Sequence, residues 1–193
     1  MSDTTKPPRG RPSPMMFVSL GIGTTVAIVL ILIVSLLTNA RNANAPSGAL
    51  PPSALVGKHV KAFSAPGLVG GTVRAPWASG HPGVVIFFAS WCTPCQKELP
   101  KVAAYLDAHA TGPVRVLGVD VNDANAAGSK FVRKSGVHFA VGTDPNFTIT
   151  AGLFGFGQIP ETVFVNAQGV VQQVYFGAIP VNQLKAGLAR LGA

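Results

Sequence analysis

The two cysteines of this chain, Cys92 and Cys95, lie in the segment 91–95 (WCTPC), which one residue separates from the apolar run 84–89 (VVIFFA). An uninterrupted apolar run of this length predicts a strand that is buried on both faces. Pro94 suits the first turn of a helix, because the N–H group that proline lacks would have no partner there. The sequence therefore predicts a buried strand that turns directly into a helix at the two thiols.

The spacing of the cysteines predicts different roles for the two sulfurs. If a helix begins at Thr93 and continues to about Ala108, Cys92 lies at its amino end, where unpaired N–H groups and the helix dipole stabilise a thiolate. Cys95 follows one turn later, within reach of a mixed disulfide formed at Cys92. We predict that Cys92 is the nucleophile and Cys95 the resolving thiol. Their disulfide is expected to serve as the redox group without a further cofactor.

A zinc site and a purely structural disulfide are the alternatives for this pair. Structural zinc is normally held by four ligands, and the chain has no second cysteine pair. A disulfide that closes so short a loop removes little entropy from the unfolded chain, so it would stabilise the fold weakly. We therefore predict no metal site. The histidines are scattered without ligand spacing: His59, His81, His109 and His138.

The amino-terminal part of the chain predicts a membrane anchor. No charged residue occurs between Arg11 and Arg41, and the segment 15–37 exceeds the length of about 20 apolar residues that a bilayer-spanning helix needs. The basic residues of the segment 1–14 predict that the amino end stays in the cytoplasm. The remainder of the chain is then extracytoplasmic, in the cell membrane of a bacterial-type cell, where a cysteine pair can be oxidised.

The segment 38–57 is small, polar and rich in proline, which is typical of a linker, and a folded domain is predicted over 58–193. A cleaved signal peptide is the alternative to an anchor, since the small residues before position 46 fit a cut after Ala45. The long apolar segment and Pro46 favour the uncleaved anchor. The net charge of +8 includes no basic run with interleaved aromatic residues, so nucleic-acid binding is not predicted.

Strand and helix patterns alternate through the domain and predict an α/β fold. The order implies a central mixed sheet flanked by helices on both faces. Strands are expected at 60–65, 70–73, 84–89, 114–121, 139–141, 162–165 and 170–176, and helices at 93–108, 123–134 (capped by Asn122), 145–153 and 181–191.

Three segments together carry a resemblance to a known family: WCTPC, the continuation QKELP at 96–100, and GQIPETVFV at 157–165. With the preceding strand, they resemble the thioredoxin superfamily over about residues 55–193. Within it they are similar to membrane-anchored, extracytoplasmic thiol:disulfide oxidoreductases of the TlpA/ResA-like and cytochrome c maturation (CcmG/DsbE-like) groups. The resemblance implies a thioredoxin-like fold preceded by a single transmembrane helix.

The resemblance also implies roles for residues outside the cysteine pair. Pro160 is expected to follow a cis peptide bond from Ile159 and to face Cys92 across the active site. Glu161 belongs to the triplet PET and is a candidate for substrate selection. The residues expected to contact substrate are Trp91, Thr93, Pro94, Ile159 and Glu161.

Glu98 is the candidate general base, because the related reductases carry an acid at this position of the motif. A carboxyl group that is partly buried beside two thiols has a raised pKa and can accept the proton of Cys95. The alternative is an exposed helix glutamate that pairs with Lys97 or Lys101.

The predicted function is reduction of disulfides in exported proteins, and the resemblance suggests apocytochrome c as one substrate and a thioredoxin-fed membrane protein as the electron donor. An oxidant that forms disulfides in exported proteins is the first alternative. A Cu(I)-binding assembly factor is the second, with Cys92 and Cys95 as soft ligands and His138 as a distal ligand.

Overall fold

The computed structural model describes residues 28–33, 54–155 and 158–193 of the chain. Most of the predicted anchor 15–37 and linker 38–57 lies outside these residues. The segment 28–33 is helical, with exposed apolar side chains. No helix within the described ranges is long and apolar enough to cross a membrane.

The strands and helices of the domain largely follow the predicted alternation, although the first strand covers Ser64–Pro66 and not 60–65. Strand β1 (Ser64–Pro66) pairs with β2 (Thr72–Arg74) in a small antiparallel hairpin, and a 3-10 helix follows the hairpin. In chain order the elements are β1 (Ser64–Pro66), β2 (Thr72–Arg74), the 3-10 helix (Pro76–Ser79), β3 (Gly83–Phe88), α1 (Thr93–Ala108), β4 (Arg115–Val121), α2 (Asn125–Lys134), β5 (Ala140–Asp144), β6 (Glu161–Val165), β7 (Val171–Phe176) and α3 (Val181–Arg190).

The central sheet has five strands in the order β5-β4-β3-β6-β7. The pairs β3–β4 and β4–β5 are parallel, whereas β3–β6 and β6–β7 are antiparallel, so the predicted mixed sheet is confirmed. Every residue of the central strand β3 is buried, as its uninterrupted apolar sequence predicts. The carboxyl end of this strand therefore delivers the cysteine segment to the middle of one sheet edge.

Successive side chains of β3 enter two different apolar clusters, one on each face of the sheet. Ile86 and Phe88 pack with residues of all three α-helices. Val85 and Phe87 pack instead with residues of the hairpin, the 3-10 helix and the segment 145–155. Among the described residues, α-helices thus cover one face of the sheet only. The expectation of helices on both faces is wrong, because the other face carries only the short 3-10 helix.

Two local predictions also fail, both through left-handed backbone. The segment 145–153 forms consecutive turns instead of a helix, because Phe147 has φ +57°, which no right-handed helix accommodates. Asn122 has φ +48° and does not cap α2, which begins after Ala124 without a side-chain cap. The chain therefore makes a sharp bend at Asn122 before α2.

Candidate active site

The cysteine pair lies where β3 gives way to α1. Cys92 is the residue that precedes the first helical residue, Thr93, and its Sγ accepts a hydrogen bond from the backbone N–H of Cys95 at 3.2 Å. The two Sγ atoms form a disulfide of 2.10 Å. Helix α1 has the bounds that the sequence predicts, and it places Cys92 at the helix end where a thiolate is stabilised.

Both cysteines are buried, but Cys92 keeps some exposed surface. Cys92 is 4% exposed, whereas Cys95 is completely buried beneath the first turn of α1. The Sγ atom of Cys92 lies 3.8 Å from the carbonyl oxygen of Ile159. The bond from Ile159 to the buried Pro160 is cis, as the resemblance implies. A thiol at Cys92 would have a backbone acceptor beside it, and an incoming sulfur reaches Cys92 before Cys95.

Glu98 is buried on α1, with 4% of its surface exposed. Its Oε1 atom accepts a hydrogen bond from the backbone N–H of Ile179 at 2.8 Å, just before α3. Burial raises the pKa of Glu98 to about 7, although that hydrogen bond lowers it. The alternative of an exposed glutamate paired with Lys97 or Lys101 is therefore wrong. A carboxyl group with this pKa exchanges protons near neutral pH.

Glu161 is the first residue of β6 and is 1% exposed. Neither of its carboxyl oxygens has a hydrogen-bond partner, and burial raises its pKa to about 8. In the sheet it lies between Phe87 of β3 and Phe176 of β7. With so little exposed surface, Glu161 can contact a substrate directly only if its neighbours move.

Trp91, Thr93 and Pro94 form the exposed part of the motif. Trp91 is 56% exposed, so it is not a core residue, and its indole N–H donates a hydrogen bond to the carbonyl oxygen of Asn122 at 3.0 Å. These three side chains and the partly buried Ile159 lie on the sequence segments that meet at Cys92. They are accessible for the substrate contact that the sequence predicts.

The model of the AhpC/TSA family matches residues 56–174, which include the cysteine pair and the cis proline. The chain belongs to the AhpC/TSA family. The resemblance to thioredoxin-like proteins is thus confirmed, and the matched residues lie within the span 55–193 that the sequence motifs indicated.

Individual relatives of this AhpC/TSA family member are thiol-disulfide oxidoreductases. The chain is 31% identical over 132 residues to the thiol:disulfide interchange protein DsbE of Pseudomonas fluorescens biotype C, which covers 66% of this chain and 70% of the relative. It is 25% identical over 136 residues to the thiol-disulfide oxidoreductase ResA of Bacillus thuringiensis. The aligned residues make up 70% of this chain and 78% of the relative.

A solved structure agrees with these relatives. The crystal structure of a secreted disulfide oxidoreductase from Mycobacterium tuberculosis, homologous to DsbE, superposes with a TM-score of 0.59 at 25% identity, covering 67% of this chain and 96% of that one. The chain is a thiol:disulfide oxidoreductase of the ResA and DsbE type, with Cys92 and Cys95 as its cysteine pair.

Two acidic residues beside the cysteine motif, Asp120 and Asp123, were not predicted as site residues from the sequence. Asp123 accepts a hydrogen bond from the backbone N–H of Ser90 at 2.6 Å. Asp120, at 2% exposure, has a pKa raised to about 7 by burial and by the nearby charge and hydrogen bond of Asp123. The available sequence signal is the pair of acids in DVND, the segment 120–123 at the carboxyl end of a buried strand.

His138 lies far from the cysteines. It is 78% exposed, and its Nδ1 atom is 3.0 Å from Oδ2 of Asp107, near the carboxyl end of α1. Cys92 lies at the opposite end of this helix, roughly 20 Å away at 1.5 Å per residue. Within the described part of the chain no group of three or more His, Cys, Asp or Glu side chains is placed to hold a metal ion. The geometry gives no support to a Cu(I) site completed by His138.

Proposed function

We propose that this protein is an extracytoplasmic reductase of disulfides in exported proteins, with apocytochrome c as one substrate. The observation that carries the proposal is the position of Cys92. Its sulfur lies at the amino end of α1 and 3.8 Å from the backbone carbonyl of Ile159, while Cys95 is buried behind it. One sulfur is placed to meet a substrate and the other to complete the exchange.

The reduced protein begins the reaction with the thiolate of Cys92. This thiolate attacks one sulfur of the substrate disulfide, a Cys92–substrate disulfide forms, and the other substrate sulfur leaves as a thiolate that takes up a proton. Cys95 then loses its proton and attacks Cys92. The substrate's second sulfur leaves, and the protein returns to the disulfide form that the structure describes. Two electrons pass from the protein dithiol to the substrate.

Glu98 is the proposed acceptor of the Cys95 proton. The carboxyl group follows Cys95 by one turn of α1, is buried with it, and has a pKa raised to about 7 by that burial. A buried thiol needs a base to form its thiolate, since burial disfavours the charged form. At neutral pH a substantial fraction of Glu98 is ionised and able to take the proton.

The proposed direction of electron flow rests on the residues between the cysteines. Thr93 and Pro94 bring neither a histidine nor a positive charge beside Cys92, so the helix end is the main feature that stabilises its thiolate. Strong oxidants of this chemistry have a reduced form that is stabilised much further. We therefore assign a reducing potential, maintained by electrons from a thioredoxin-fed membrane donor.

The extracytoplasmic setting is supported by the sequence of the amino-terminal segment and by the relatives. The uncharged apolar segment 15–37 is proposed as a single-pass anchor, with the segment 1–14 in the cytoplasm. The similar disulfide oxidoreductase from Mycobacterium tuberculosis is a secreted protein. An extracytoplasmic reductase needs a continuous electron supply, because exported cysteines are reoxidised in this compartment.

Trapping of the mixed disulfide tests the proposal. The reduced Cys95→Ser variant is mixed with an oxidised peptide that carries the haem-attachment motif Cys-X-X-Cys-His. We expect a covalent protein–peptide adduct that dithiothreitol releases, and none with Cys92→Ser as the matched control. Equal adduct formation through Cys95 in the control variant, or no adduct with either variant, would contradict the assigned roles.

A further inference from the structure

The segment that leads into Cys92 is held by the loop that follows β4. The backbone N–H of Ser90 donates to Oδ2 of Asp123 at 2.6 Å, and the indole N–H of Trp91 donates to the carbonyl oxygen of Asn122 at 3.0 Å. The other carboxyl oxygen of Asp123 accepts from the N–H of Ala124 at 2.8 Å. Two consecutive residues before Cys92 are therefore fixed by one loop.

The carboxyl group of Asp123 has a second carboxyl group, that of Asp120, as its neighbour. Asp120 is the penultimate residue of β4 and is 2% exposed. Burial, together with the nearby charge and hydrogen bond of Asp123, raises the pKa of Asp120 to about 7. Its Oδ1 atom has no hydrogen-bond partner. Helix α2 passes directly over this carboxyl group at Gly128, where any Cβ atom would collide with it. The backbone of α2 thus closes the space above Asp120.

Two carboxylates in hydrogen-bond contact repel each other, and the arrangement is favourable when one of them carries a proton. Asp123 already accepts two backbone N–H groups, which favours its charged form, whereas the buried Asp120 accepts none that would compensate a charge at Oδ1. The proton therefore belongs on Asp120, which donates it to Asp123.

We propose that Asp120 and Asp123 form a proton-sharing pair that positions Ser90 and Trp91, and through them the sulfur of Cys92, for disulfide exchange. This inference rests on the proposed function of the Cys92–Cys95 pair. Asp123 holds the N–H of Ser90 directly, and the proton on Asp120 allows Asp123 to stay in place. Both acids are positioning residues, since neither contacts the sulfurs in the structure.

The groups around the pair determine how it responds to pH. In the sheet, Asp120 has the uncharged neighbours Phe88 on β3 and Thr143 on β5. On α2, Lys130 and Lys134 line a cavity together with Ser90, and both side chains are exposed. When Asp120 loses its proton, the pair carries two negative charges. The Ser90 hydrogen bond is then expected to weaken as pH rises through the Asp120 pKa of about 7.

Three variants of the full chain test the pair. Asp123→Ala removes the acceptor of the Ser90 N–H, and Asp120→Asn replaces the shared proton by an amide N–H that cannot ionise. Asp107→Asn is the matched control, because Asp107 is an acid that pairs with His138 at the far end of α1. Circular dichroism first establishes that each variant is folded.

The first measurement is the second-order rate of the reduced proteins with oxidised glutathione from pH 5.5 to 9. Asp123→Ala should react about tenfold more slowly than the wild type at pH 7, since a misplacement of reacting groups by about 1 Å can cost about a hundredfold and the shift expected here is smaller. Asp107→Asn should match the wild type. A folded Asp123→Ala protein that reacts at the wild-type rate would overturn the proposal.

The second measurement is the pH titration of the Ser90 amide proton by NMR. The wild-type resonance should move upfield between pH 6 and 8 as the hydrogen bond weakens, and it should stay constant in Asp120→Asn. An identical titration in both proteins would overturn the proposal even if Asp123→Ala does not fold. If wild-type protein fails to react with oxidised glutathione at all, the proposed function fails and the Ser90 titration still decides the role of the pair.

Discussion

At the scale of single residues, the buried carboxyl groups of Glu98 and Glu161 differ in what contacts them. Glu98 accepts a backbone hydrogen bond from Ile179, whereas neither oxygen of Glu161 has a partner. The pKa of Glu161 is accordingly the higher of the two, at about 8 against about 7. At neutral pH Glu161 is mostly protonated, while Glu98 is divided between its two forms.

This difference predicts that Glu98, and not Glu161, moves a proton during exchange. Glu98→Gln should slow the attack of Cys95 on the mixed disulfide at Cys92 by about a hundredfold, the lower end of the range for loss of a general base. Stopped-flow release of a fluorescent peptide from the Cys92 adduct measures this step. Lys101→Gln, an exposed change on the same helix, serves as the control. Equal release rates in all three proteins would exclude Glu98 as the base.

Glu161 is predicted to affect stability at alkaline pH. Its neutral form is favoured in the folded state, so its contribution is fully present at low pH and is lost as pH rises through about 8. The glutamine of Glu161→Gln cannot ionise. Between pH 6 and pH 9 the free energy of unfolding of this variant should therefore rise by about 2 kcal/mol relative to that of the wild type. Urea unfolding at the two pH values checks this. A constant difference would show that Glu161 is not buried as described.

At the scale of elements, close packing of α3 on β6 sets the position of α3 and of Ile179, which lies just before the first residue of this helix. Gly187 lies against the ring of Phe164, where an added Cβ atom would overlap the ring. Gly187→Ala should therefore destabilise the protein by about 1–3 kcal/mol, despite the better helix propensity of alanine. Thermal unfolding measures the loss, with the exposed Lys185→Ala as control. A stabilised Gly187→Ala protein would contradict this packing.

The elements that the sequence predicts well are those specified by local patterns. Strand β3 and helix α1 follow from the apolar run and from Pro94 beside the cysteines. The turns at 145–155 could not be predicted from such a local pattern. The carboxyl group of Asp144 accepts hydrogen bonds from Thr148, Ile149 and Thr150, and these bonds replace those of a regular helix. Burial raises the pKa of Asp144, but these hydrogen bonds outweigh it and lower the pKa.

Contacts between distant segments are the part of the site that the sequence could not predict. The partner of Glu98 is the backbone of Ile179, 81 residues later, and Asp123 reaches Ser90 across 33 residues. A backbone N–H group leaves no trace in the side-chain pattern. The chemistry of the cysteines was predictable from residues 84–95 alone, whereas the arrangement of the surrounding acids required the folded chain.

At the scale of the whole molecule, three of the four buried carboxyl groups of the described residues are expected to make the protein most stable at acidic pH. Glu98, Asp120 and Glu161 have raised pKa values, so their neutral forms stabilise the folded state below about pH 5. This contribution to the free energy of unfolding is lost as pH rises toward about 8. The lowered pKa of Asp144 acts oppositely, and its contribution disappears as pH falls below its ordinary value. The melting temperature of the oxidised protein should thus be highest between about pH 4 and 6. A maximum at or above pH 8 would contradict the burial of these groups.

The reducing role of the Cys92–Cys95 pair is the central claim, and its equilibrium potential tests it most directly. The purified full chain is equilibrated with buffers of glutathione or dithiothreitol, and the free thiols are counted by mass spectrometry after alkylation. We expect a potential near or below that of thioredoxin, about −270 mV, because no positive charge or histidine within the motif stabilises the Cys92 thiolate. A potential near −120 mV, that of a strong periplasmic oxidant, would contradict the claim and reverse the direction of electron flow.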